Sequence, residues 1–145
     1  MKKAKKLLAF LIIIIVLLID SGCNSVSSLA QGGKTDNVEV SIGKSSQFSE
    51  EEIKDAMSCV KKRFKVFYGC TLTKLWYDEE KSSNYAEGFL TNDVEADNVI
   101  VLFSDFDVGS SCDEGLTPNS TYTDWSWILI RDSKKGDWRV DNWGY

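Results

Sequence analysis

The sequence predicts an α+β domain: one long amphipathic N-terminal helix packed on a curved, mostly antiparallel sheet that ends in a tryptophan-rich hairpin. Three observations predict it. Residues 49–67 carry apolar side chains at helical spacing behind a helix-start signature. Val99-Ile100-Val101-Leu102-Phe103 is an unbroken β-prone run. Residues 123–145 hold two apolar stretches around a polar, glycine-bearing break.

The helix is placed over 50–67. Ser49-Glu50-Glu51-Glu52 forms a capping box, in which the Ser49 hydroxyl takes the Glu52 amide and the Glu52 carboxylate reaches back. Phe48 and Ile53 flank the cap as a hydrophobic staple. The glutamates suit the positive end of the helix dipole. Ile53, Ala56, Met57, Val60, Phe64 and Phe67 make one apolar face, and Gly69 marks the stop. Lys61-Lys62-Arg63 and Lys65 read first as the solvated end of this helix and second as a contact patch.

Thr71–Asp78 is β-prone, 78–84 breaks it, and Tyr85, Phe89 and Leu90 predict a short helix or packed loop across 84–91. Val99–Phe103, apolar at every position, predicts a strand covered on both faces or one at the centre of the sheet. A polar loop, 109–122, holds the only proline, Pro118. In the hairpin, Trp125–Arg131 and Trp138–Tyr145 are the strands and Asp132–Asp137 the turn. Four of the five tryptophans lie here, so it supplies much of the apolar area. A cone of the cystatin or nuclear-transport-factor-two type fits this order, as does a smaller helix-on-sheet sandwich.

The first part of the chain reads as an address. Lys2, Lys3, Lys5 and Lys6 precede an apolar run from Leu7 to Ile19, short for a spanning helix of about 20 residues, so it reads first as an export signal and second as a permanent membrane helix. Ser21-Gly22-Cys23 follows and resembles the lipobox of bacterial lipoproteins, with Asp20 where that motif places an apolar residue. The resemblance implies cleavage before Cys23 and a diacylglyceryl group on its thiol. The expected organisation is a signal peptide over 1–22, Cys23 and a flexible linker over 23–47 with one edge strand at 38–42, and a single domain over 48–145. The linker would average roughly 25–30 Å end to end. The expected location is the outer face of the cytoplasmic membrane, or the exterior if Cys23 is unmodified.

Charge and composition exclude several functions. From Cys23 onward there are 13 basic and 21 acidic residues, a net −8 that repels phosphate backbones, so no nucleic-acid partner is expected. The same balance opposes anionic lipid, which leaves attachment to the acyl chains. The absence of histidine removes Ser-His-Asp and Cys-His catalysis and imidazole-dependent zinc sites. Cys59, Cys70 and Cys112 show no CxxC spacing and read mostly as buried thiols, with a Cys70–Cys112 bridge as the alternative. No cofactor or metal is expected. Asp105, Asp107, Asp113 and Glu114 cluster, but a calcium loop starting at Asp105 would have Gly109 fifth and Leu116 twelfth, against the template.

Aromatic residues are the remaining candidates. Trp125 and Trp127 share a strand face by the two-residue period. With Tyr122, Trp143 and Tyr145 they form the candidate ligand-binding set, and Trp76, Tyr77 and Trp138 are possible additions; the competing reading makes most of these rings core. The leading expectation is a non-catalytic, lipid-anchored extracytoplasmic domain that binds an envelope ligand or protein. The alternative is a small enzyme with a carboxylate pocket inside the sheet, using Asp105, Asp107 or Asp141. Finally, Gly69–Ser82, Asn98–Val108 and the ending Leu116–Tyr145 (PNSTY, WSWILIRD, DWRVDNWGY) resemble a group of small uncharacterised exported proteins of clostridia and related Gram-positive bacteria. That resemblance implies a leader, a short linker and one such domain, and supplies no catalytic residues to carry over.

Overall fold

The computed structural model describes residues 32–90 and 94–145. The leader and Cys23 lie outside the described residues. The described chain is α+β: a mixed five-stranded sheet and two α-helices. Strands β1 (Glu39–Ile42), β2 (Cys70–Tyr77), β3 (Val99–Val108), β4 (Thr121–Ile130) and β5 (Arg139–Gly144) lie side by side in sequence order. β2 to β5 form an antiparallel meander, and β1 pairs parallel to β2. A parallel pair needs a long crossover, and helix α1 (Glu50–Phe64) supplies it.

The helix expected over 50–67 spans 15 residues, Glu50–Phe64, and follows a strand, so it is an interior helix of about four turns, not a long N-terminal one. Its capping box is formed, with both Ser49–Glu52 bonds present. Beyond Phe64 the chain tightens into a three-residue turn, the Phe67 amide donating to the Phe64 carbonyl at 2.9 Å. Gly69 then takes φ +72°, which only glycine adopts freely, and a Cβ there would collide with the Ser111 carbonyl.

The short helix starts earlier than the periodicity predicts. α2 spans Glu79–Ala86, with a single 3₁₀ turn after it, because Asp78 caps it by accepting the Lys81 amide at 2.8 Å. The two helices cover opposite faces of the sheet. On β3, Ile100, Leu102 and Phe106 join the core under α1, whereas Val99, Val101 and Phe103 pack on the α2 side. The unbroken apolar run is thus a strand buried on both sides. Three register shifts interrupt the meander, between Leu72 and Lys74, Ser104 and Phe106, and Ile128 and Leu129. Such bulges bend strands and raise their twist.

Residues 32–47, expected as linker with one edge strand, pair and pack with the rest of the described chain. Lys34 exchanges backbone bonds with β2: its amide donates to the Cys70 carbonyl and its carbonyl accepts from Leu72, both at 2.9 Å. Val38 and Ile42 pack against the main core. The polar composition of this stretch reflects an edge strand with one outward face, not a free tether.

One buried cation closes the structure. Arg131 is 5% exposed, and pairs with Glu52 at 2.9 Å. It also donates twice to the Asp97 carbonyl and lies 4.2 Å from the Trp138 ring. It ties the first turn of α1 to the end of β4.

Candidate functional site

The aromatic candidates converge, except one, at the end of the sheet where β4 begins and β5 finishes. Tyr122 and Trp125 are three apart and would face opposite ways on a regular strand. The register shift between them changes this. Asp124 sits at φ +57°, a strained conformation for a residue with a Cβ. Both rings therefore turn to the α1 side and meet at 5.5 Å between centroids. Asp124 is held there by its amide, which donates to Asp105 Oδ1 at 2.9 Å, and by an ion pair with Lys81. The Asp105 carboxylate thus latches a bulge.

The rings form one continuous group. Tyr122 stacks on Phe106 at 5.1 Å and 3°. Trp125 meets Phe106 at 5.4 Å and Tyr145 at 5.3 Å, both edge-on. Tyr122 and Tyr145 lie 6.2 Å apart. Phe67 bridges to Trp143 at 6.3 Å, and Arg63 stands over Trp143 at 4.4 Å. Exposure grades outward: Trp125, Trp143 and Tyr122 are half-buried, and Tyr145 is 78% exposed. The Trp125 indole nitrogen is buried with no hydrogen-bond partner among the described residues.

Trp127 is the exception. It is fully buried, and its Nε1 donates to Ser104 Oγ at 2.8 Å. It packs in the core, apart from the four candidate rings that water reaches. Trp76 lies on the opposite face, against Phe103 at 6.1 Å, and Tyr77 and Trp138 are buried around Phe48. The strand period identifies Trp125 and Trp127 as neighbours on one face, but the covering helix decides which of them water reaches.

The carboxylates proposed for acid–base work are dispersed. Asp107 accepts from the Thr121 hydroxyl at 2.7 Å, and Asp141 is exposed on β5 at a register shift. The space between α1 and the sheet is filled by Phe64, Phe106, Trp127, Leu72, Leu75, Leu102 and Leu129. Among the described residues no three Cys, Asp or Glu side chains converge as metal ligands, and no helix is long and apolar enough to cross a membrane.

The three cysteines in the described residues are free thiols. Cys70 is buried, and that burial pushes its thiol up to about 11, with the neighbouring Cys112 and Asp113 adding to the effect. Cys59 and Cys112 are half-buried, and the Cys59 thiol donates to the Trp138 carbonyl at 3.3 Å.

Comparison with profiles of known protein families, with curated proteins and with solved structures finds no match for this chain. What the site can do therefore rests on its own chemistry. It offers ring faces and edges, a guanidinium and a buried indole donor. Those groups suit binding.

Proposed function

We propose that this protein is a non-catalytic, lipid-anchored extracytoplasmic domain that binds at the cell envelope through the aromatic end of its sheet. The observation that carries the binding reading is the gathering of Tyr122, Trp125, Trp143 and Tyr145 at one end, graded from half-buried to open. A core closes its large rings away from water; here the outermost is left 78% exposed. The anchoring reading rests on the basic start, the apolar run and Ser21-Gly22-Cys23. A cone-like bend of the sheet, of the cystatin or nuclear-transport-factor-two kind, agrees with the helix-then-meander order and the three register shifts.

Two measurements test the two halves. The mass of the mature protein should exceed that of its Cys23→Ala counterpart by a diacylglyceryl group, and equal lipid-free masses remove the anchor. For binding, the Cys23→Ala protein made without residues 1–22 should sediment with isolated cell envelopes. The same protein carrying Trp143→Ala and Tyr145→Ala should bind about tenfold less, as expected for loss of two contact aromatics. Equal sedimentation of the two sinks the aromatic end as the binding face.

A further inference from the structure

The chain enters the domain at a fixed place. The Gly33 amide donates to the Lys65 carbonyl at 3.1 Å, and a Cβ on Gly32 would stand 2.7 Å from that oxygen. Lys34 bridges to Thr71 near the start of β2. The end of the domain tied to Cys23 is therefore the C-terminal end of α1. It is also the aromatic end, because Thr71 pairs with Asp107 and Asp107 with Thr121, which brings Tyr122 alongside.

This end differs in charge from the rest of the molecule. Residues 61–68 (KKRFKVFY) hold four cations and no carboxylate, in a chain that is net −8 from Cys23 onward. Lys62, Arg63 and Lys65 are exposed, as are Val66 at 45% and Tyr68 at 44%. Carboxylates flank the patch: Lys62 lines a concavity with Asp55 and Asp137, Asp107 pairs with Thr71 and Thr121 at this end, and Asp113-Glu114 lies beside Tyr68. Asp113 is engaged by the Tyr68 amide at 3.0 Å.

Cys23 precedes Gly32 by nine residues. The Cys23 backbone therefore lies no more than about 32 Å from that of Gly32, whatever path the chain takes. Cations attract an anionic leaflet, while tyrosine and tryptophan rings settle at headgroup depth. One lipid signal plus a basic patch is a recognised sufficient combination for stable attachment.

We propose that the partner of the aromatic end is the anionic bilayer to which the chain is anchored: Lys62, Arg63 and Lys65 meet lipid phosphates, while Val66, Tyr68 and Tyr145 lie at the interface. This rests on the reading of Cys23 as lipid-bearing, and it deepens the reading of the aromatic end as a binding face. The overall acidic charge then keeps the other faces off the surface and fixes the orientation.

The test uses the processed full-length protein reconstituted in vesicles of phosphatidylcholine alone or mixed equally with phosphatidylglycerol. A water-soluble amine-acylating reagent reads each lysine by peptide mass. Lys44 is the internal control, since the adjacent Gly43 amide bonds the Tyr77 carbonyl at the opposite end of β2. Lys62 and Lys65 should react about fivefold more slowly on mixed vesicles than on neutral ones, with Lys44 unchanged. High salt should abolish the shielding while the protein still floats with the vesicles. In Lys62→Glu with Lys65→Glu, both at exposed positions, Lys61 should react equally on the two vesicle types. Flotation with uniform acylation of Lys44, Lys62 and Lys65 overturns the docking and leaves the anchor intact. A lipid-free Cys23 with no flotation removes the tether, and this orientation falls with it.

Discussion

Arg131 shows how one side chain joins three segments. Its guanidinium is buried, so every partner it has must be protein: Glu52, the Asp97 carbonyl and the Trp138 ring. Methionine keeps the volume but leaves Glu52 without a counter-charge and the Asp97 carbonyl without a donor. Arg131→Met should cost about 2 kcal/mol in urea unfolding, below the range for a fully buried pair because Glu52 still reaches water. Glu52 also gives a pH signature. The Ser49 amide, which it accepts in the capping box, holds its carboxyl below the usual range, with Arg131 contributing. A carboxyl whose folded value is depressed adds stability that is present above its unfolded value and lost as pH falls through the folded one. Stability should therefore decline on the acid side of pH 4.5, and Glu52→Gln should flatten that limb in acid unfolding curves.

Cys70 is the second residue with a distinct chemical fate. A thiol pushed up to about 11 is almost wholly protonated at pH 8, and only the thiolate attacks alkylating reagents. Under reducing conditions, iodoacetamide at pH 8 should label Cys59 and Cys112 first, and Cys70 only after unfolding. Mass mapping of partially labelled native protein checks the order, and early labelling of Cys70 contradicts the burial argument.

At the scale of elements, the bulge in β4 determines the site. Asp124 holds φ +57°, and glycine removes that strain at the loss of one exposed ion pair. Asp124→Gly should leave thermal stability within about 0.5 kcal/mol of the parent. Asp124→Val places a β-branched side chain in that conformation and should cost about 2 kcal/mol, with loss of near-ultraviolet dichroism from the Tyr122–Trp125 pair. Equal behaviour of the two variants would show that Tyr122 and Trp125 meet for some other reason.

What the sequence disclosed about the elements follows the range of the forces involved. The capped helix, the doubly covered strand and the hairpin were legible because their signals are local: Ser49 with Glu52, the run Val99–Phe103, and two apolar stretches around a turn. The start of α2 was also local, in Asp78, but its polar first turn hid it among break residues. The burial of Trp127 against the openness of Trp125 was not legible, since it depends on where α1 ends and where Phe67 folds back. Nor was the bulge, because it needs Asp105 and Lys81 from distant positions to hold Asp124.

At the scale of the whole molecule, the boundary of the folded body can be tested directly. Residues 32–47 are polar enough to pass for a linker, yet they contribute the one parallel strand among the described residues. Removing them would strip β2 of its outer neighbour and leave an unpaired edge, a liability in a sheet protein. The loss can be sized. Val38 and Ile42 are partly buried against the core and together contribute about 2 kcal/mol. The backbone bonds from Lys34 to Cys70 and Leu72, and from Gly43 to Tyr77, add about 0.5–1 kcal/mol each. Against this, ordering sixteen residues costs chain entropy, so the net falls below the gross. A chain over residues 48–145 should therefore be less stable than one over 32–145 by about 2 kcal/mol in urea unfolding, and more prone to self-association through the bared β2. Equal midpoints for the two would mean that β1 rides on the sheet without supporting it.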